Sequence, residues 1–149
     1  MTNLVLNAWI SLFDKNKESF FLSNEKLSWT YGDLMIATQE CSAELQGLKP
    51  GICLVESDYT LKGVAWLIAG LCSDWIMVPV VSKNDDIINT RIEISAATHK
   101  VSEHSNWHLR VIPNQSDGSK NGNVDSKSGI VLFSSGSTGQ PKAMCKNFD

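Results

Sequence analysis

The sequence has no surplus of positive charge, no close cysteine pair, no membrane-length apolar run and no internal repeat. Thirteen Lys and Arg against sixteen Asp and Glu leave a formal net charge of −3, so the basic face of a general nucleic-acid binder is missing. Cys41, Cys53, Cys72 and Cys145 stand 12, 19 and 73 residues apart, which excludes a zinc ribbon or a thioredoxin-type dithiol. The first three lie in apolar segments, where buried, inert thiols in a reducing compartment are expected. Glycine and proline together make 14 of 149 residues, too few for a collagen-like or low-complexity chain. The apolar stretch 63–72 is far shorter than the ~20 residues that cross a bilayer. Another, 4–13, has no Lys or Arg before it, is interrupted by Asn7, and runs into Asp14 and Lys15 instead of a cleavage site. A secretory signal is therefore not expected and a cytoplasmic location is, which makes the sequon Asn114-Gln115-Ser116 a chance match.

What remains is a globular composition, 42% hydrophobic and 19% charged over 149 residues, the length of one domain. Leu6, Trp9, Ile10 and Phe13 recur at helical spacing over 3–13. Residues 20–22 and 27–30 flank a polar turn and predict a small hairpin. Thr30 and Asp33 have the spacing of a reciprocal helix cap, and Leu34, Thr38, Cys41 and Leu45 follow on one helical face that Gly47 ends. The apolar runs 52–55 and 75–81 suit strands buried on both faces, with a helix over 60–71 between them. Asn84-Asp85-Asp86 predicts the start of a helix reaching about Ala97, and 98–102 and 108–112 fit short strands. Helix and strand signals alternate, which predicts an α/β fold with a largely parallel sheet and crossover helices. Residues 114–128 hold one apolar side chain, Val124, and are expected to form a mobile surface loop.

After that polar stretch, the strand-like run 129–133 leads straight into Ser134-Ser135-Gly136-Ser137-Thr138-Gly139-Gln140-Pro141-Lys142. Glycines let successive backbone amides converge on one anion, hydroxyls add neutral donors, and the lysine adds local charge. A polyphosphate offers matching acceptors. Because the whole chain is negative, attraction for such a ligand must be local to this loop. The spacing is neither that of a Walker A loop nor G-x-G-x-x-G, since Gly136 and Gly139 are three apart and Lys142 is three further on.

The run Ser135-Gly136-Ser137-Thr138-Gly139-x-Pro141-Lys142 resembles the phosphate-loop signature of the adenylate-forming superfamily, which includes acyl-CoA synthetases, luciferases and peptide-synthetase adenylation domains. Phe133 and Ser134 fill the usual aromatic and hydroxyl places before it, and Ala143 replaces the usual glycine after it. Upstream, Thr30-Tyr31-Gly32-Asp33-Leu34, the turn at Lys49-Pro50-Gly51 and Val78-Pro79-Val80 are similar to further family segments in the same order. Asp74 stands where that family has glycine; aspartate adopts a positive φ at modest cost.

The resemblance implies an ATP-dependent ligase that activates a carboxylic acid as acyl-AMP, releases pyrophosphate and passes the acyl group to a thiol, with CoA as the favoured acceptor and a carrier arm as the other. The shorter, o-succinylbenzoate type of CoA ligase is the nearest in spacing. By position, Ser134, Ser135, Gly136, Ser137, Thr138 and Gly139 become phosphate contacts and Lys142 a supporting cation, with Mg²⁺ offsetting charge on pyrophosphate. Family enzymes are several-fold longer, so residues 1–149 are expected to be part of an N-terminal domain, inactive alone and able to self-associate through an exposed apolar face. A non-catalytic nucleotide- or partner-binding module, and a plain assembly domain, are the competing readings. No catalytic side chain is identifiable. His99, His104 and His108 fall on separate strands and a turn, so no metal site is expected. Trp29, Trp66 and Trp75 suit packing, and Asp85 with Asp86 suits a helix start better than a catalytic pair.

Overall fold

The computed structural model describes residues 4–23, 26–113, 128–135 and 141–147. Its first helix, α1 (Leu4–Lys15), precedes a two-stranded antiparallel hairpin, β1 (Phe20–Ser23) and β2 (Ser28–Thr30). Helix α2 (Tyr31–Leu45) begins directly on the hairpin. The Thr30 hydroxyl accepts from the Asp33 amide at 3.2 Å, and an Asp33 carboxylate oxygen accepts from the Thr30 amide at 2.8 Å. Two orphan donors of the first turn are thereby satisfied, as the spacing of the two residues predicts. Tyr31 then stacks on Phe13 of α1, with ring centroids 5.2 Å apart, and packs at a tilt on Phe21 of β1.

The rest is a sheet with helices on both faces. It contains β3 (Ile52–Glu56), α3 (Leu61–Cys72), β4 (Ile76–Val80), α4 (Asp85–Ser95) and β5 (His99–Ser102). A 3₁₀ turn (Glu103–Ser105) leads to β6 (Arg110–Val111), and β7 (Gly129–Ser135) and β8 (Pro141–Asn147) complete the order β6-β5-β3-β4-β7-β8. The four inner strands are parallel, while β6 and β8 run antiparallel at the two edges. The α/β reading of the sequence is correct.

Alternation along the strands sorts the core into two layers. Cys53, Val55, Met77 and Val101 face α2 and α3, meeting Leu34, Ala37, Cys41, Ala65, Trp66 and Ala69. Leu54, Ile76, Val78, Val80 and Val131 face the other way, onto Ile88 and Ile92 of α4. A strand apolar on both faces is what the uninterrupted runs required. Gly70 lets α3 lie close on β4: a Cβ there would stand 2.0 Å from the Met77 sulfur. The chain leaves α3 through Asp74 at φ 61°, the left-handed conformation foreseen for that position. Trp66 and Trp75 are fully buried.

Two expectations need correcting. Cys72 is exposed, because the last turn of α3 carries it past the sheet into a groove shared with Ile10, Phe13 and Met35. Ser128, placed with the surface loop, is only 2% exposed, because it abuts the start of β7; residues 114–127 lie outside the described residues. No helix among the described residues is long and apolar enough to cross a membrane.

Candidate functional site at the tip of the β7–β8 hairpin

The candidate loop leaves the carboxyl edge of the parallel strands, where open α/β sheets bind their ligands. Gly129 pairs with Ile76 and Ile130 with Met77, so Phe133, three residues beyond Ile130, lies level with Val80, the last residue of β4. Ser134 and Ser135 therefore project past that edge. There they pair with β8: Ser134 lies opposite Lys142 and Ser135 opposite Pro141. Directly opposed residues of an antiparallel pair share one face of the ribbon. A half-buried serine and an exposed lysine thus sit side by side at the mouth of the connection.

This narrows the loop read from the sequence as 134–142. Its first two and last two residues belong to strands, and the connection proper is 136–140. Gly136, Ser137, Thr138 and Gly139 lie outside the described residues. Strand β8 had no counterpart in the sequence reading. The signal for it is the short apolar run Ala143, Met144 and Cys145 between Lys142 and Lys146, which the adjoining Ser/Gly-rich motif overshadows.

Helix α4 holds the base of this tip. The Arg91 guanidinium carbon lies 4.1 Å from the centre of the Phe133 ring, a cation–π contact one residue before Ser134. One terminal nitrogen of that guanidinium, Nη1, is buried and makes no hydrogen bond. The sequence did not single out Arg91, because nothing in a helical pattern reports which ring an arginine will cover. On the opposite face Leu132 and Met144 are also directly opposed, and both are more than 40% exposed, an apolar pair open to solvent.

The histidines and the acidic pair lie elsewhere. His99 is on β5, its Nδ1 2.9 Å from the Thr98 hydroxyl and its ring edge-on to Trp75; burial pushes its pKa down. His104 is in the 3₁₀ turn, and His108 lies 3.7 Å from a Glu44 carboxylate oxygen. Among the described residues no three His, Cys, Asp or Glu side chains gather in a way that could hold a metal ion. Asp85 and Asp86 occupy the first turn of α4, where the Asn84 side chain accepts from the Asp86 and Ile87 amides.

No protein-family model and no curated protein matches the sequence. Solved structures do. The N-terminal subdomain of NpsA from Klebsiella oxytoca superposes with a TM-score of 0.73 at 19% identity, covering 99% of this chain and 42% of that one. The fatty acyl-adenylate ligase of L. pneumophila, solved with acyl adenylate and pyrophosphate, gives a TM-score of 0.66 at 21% identity over 99% of this chain and 30% of its own. The adenylation domain AlmE of Vibrio cholerae, solved with glycyl-adenosine-5'-phosphate, gives 0.71 at 11% identity over 99% and 36%. The chain thus spans less than half the length of the proteins it superposes on. Over that span it has the fold of the N-terminal part of adenylate-forming domains.

Proposed function

We propose that the β7–β8 tip holds the phosphates of ATP, and that this chain supplies that element to a larger enzyme which converts a carboxylic acid to an acyl-adenylate and pyrophosphate. The carrying observation is the pairing of Ser134 with Lys142 at the carboxyl edge of the parallel sheet. It sets a hydroxyl and an ammonium on one face, flanking the residues whose glycines and hydroxyls suit phosphate oxygens. Ser134, Ser135, Gly136, Ser137, Thr138 and Gly139 are assigned as phosphate contacts and Lys142 as the supporting cation. Mg²⁺, when bound with the nucleotide, would neutralise part of the charge on the departing pyrophosphate; no residue of this chain is assigned to it. Two proteins of the same fold were solved with an adenylate, one of them with pyrophosphate as well, which supports this chemistry.

The finer reading is an acid–thiol ligase that transfers the acyl group to CoA, acting in the cytoplasm. Adenine, ribose and acyl contacts are needed beyond those assigned here, so the chain alone is expected to bind phosphates without turnover. In a polypeptide carrying this chain, Thr138→Ala should lower carboxylate-dependent exchange of labelled pyrophosphate into ATP by about 100-fold, the effect of removing one positioned donor. Folding, checked by circular dichroism, should be unchanged. Equal exchange rates for variant and parent would refute the assignment.

A further inference from the structure

A second basic cluster lies at the other side of the sheet, on β5 and β6, with β3 and β4 between it and the β7–β8 ribbon. A cavity of about 240 Å³ opens there, lined by Lys100, Ser102, His104, Ser105 and Arg110. Lys100 and Arg110 are directly opposed in the antiparallel β5–β6 pair. Like charges so placed repel, and a short edge pairing has little else to offset them. Only one of the two is neutralised. The Lys100 ammonium lies 2.6 Å from a carboxylate oxygen of Glu56, buried at the end of β3, whereas the Arg110 guanidinium has no hydrogen bond or ion pair with any described residue.

The floor of the cavity is firmly built. The Ser102 hydroxyl accepts from the Ser105 amide and the Ser105 hydroxyl from the Ser102 amide, each at 3.2 Å. The Ser105 hydroxyl also contacts the carbonyls of Ser102 and His108 at 2.9 and 3.1 Å. Asn106 and Trp107, both left-handed at φ 52° and 62°, then turn the chain back toward β6. Two successive left-handed residues, one of them a tryptophan, persist only where the surroundings impose them. The Ser105 hydroxyl donates to backbone carbonyls while that of Ser102 only accepts, so the donors lining the cavity are the ammonium of Lys100, the guanidinium fork of Arg110, the imidazole of His104 and the Ser102 hydroxyl. Glu103 is exposed and does not line it.

The geometry points to an oxyanion site, in which a phosphate-class anion bridges Lys100 and Arg110 beside His104. A guanidinium engages two oxygens of such an anion and an ammonium a third. The volume is below the roughly 300–1,000 Å³ of cofactor pockets, so the ligand is a small anion or the end group of a longer molecule. The site uses none of the residues assigned to ATP and stands independently of that assignment.

The test is an amide-resolved NMR titration of the 149-residue chain with inorganic phosphate at constant ionic strength, with chloride as control. Saturable shifts confined to amides 100–110, and at least tenfold weaker in Arg110→Gln, are expected. Phosphate should also raise the thermal midpoint of the parent and leave that of Arg110→Gln unmoved. In phosphate-free buffer the variant should melt no lower than the parent, since it removes a repulsion. Shifts that do not saturate, that chloride reproduces, or that survive in Arg110→Gln would overturn the proposal. A parallel titration with ATP separates sources: response at 100–110 to both compounds means the site takes the phosphate group wherever it is carried, and response to inorganic phosphate alone means the free ion. Amides 134–142 report the other site, so failure of either assignment is visible without the other.

Discussion

Replacing Gly70 with alanine would set two well-known effects against each other. In an exposed helix interior the change stabilises by about 1 kcal/mol, because glycine has the larger conformational entropy to lose. Here the new methyl would stand 2.0, 2.6 and 2.9 Å from Sδ, Cε and Cγ of Met77, whose side chain is wholly buried. Met77 must swing away into a filled layer, and overpacking of this kind costs about 1–3 kcal/mol. The expected net result is a loss of about 1 kcal/mol, or a fall of roughly 3 °C in thermal midpoint for a domain of this size. Met77→Ala alone should cost about 2–5 kcal/mol through the cavity it leaves. The double variant should lose at least 1 kcal/mol less than the sum, because the alanine methyl occupies space that the methionine vacated. Urea unfolding followed by far-ultraviolet circular dichroism measures all three. If Gly70→Ala gains the full helical increment and adds independently to Met77→Ala, the close approach of α3 to β4 is not what Gly70 provides.

Three further outcomes are expected. Burial pushes the Cys53 thiol up to about 12 and the Cys41 thiol to about 11, so both stay protonated in the folded chain at pH values where the unfolded chain ionises them. Their contribution is full below the unfolded thiol pKa and is lost as pH climbs toward the folded values, at about 1.4 kcal/mol per pH unit for each thiol; urea midpoints at pH 8–10.5 should show Cys53→Ala falling less steeply than the parent. Glu56→Ala strands the Lys100 charge beside Arg110 and should cost about 1–3 kcal/mol, reduced from the fully buried case because Lys100 keeps 31% exposure. The pair Glu56→Leu with Lys100→Met should recover most of that loss, and a double variant as unstable as the single one would contradict the buried-pair account. Thr30→Ala removes the hydroxyl that accepts from Asp33 and should lower stability by about 1 kcal/mol in the same assay; an unchanged midpoint would mean that packing on Phe13 alone holds the start of α2.

Much of this architecture was legible because local chemistry and global fold agree. The cap at Thr30 and Asp33, the side-chain cap at Asn84 and the positive φ at Asp74 are short-range decisions that three or four residues suffice to make. The runs 52–55 and 75–81 are apolar at consecutive positions, which only a doubly covered strand tolerates, so the parallel interior followed. Long-range facts were hidden. No local pattern indicates that Lys100 will face Arg110 across the β5–β6 pair, or that Arg91 will lie on Phe133, because each depends on which element neighbours which. Cys72 misled for a related reason: an apolar helix has more than one side, and its last turn overruns the layer that buries the rest. The candidate loop at 134–142 was marked by residue type, but its ends were not, since the ladder of β7 with β8 absorbed four of its nine positions.

That ladder has a mechanical consequence. Strand β7 is joined to β4 through only two residue pairs at its base, while its bond to β8 runs the full seven residues. The outer half is a cantilever, held sideways through Phe133, which packs on the layer beneath α4 and lies under the Arg91 guanidinium. A neighbour laid along the free side of β8 would therefore bear on the Ser134–Lys142 pair through the ladder, without touching either residue.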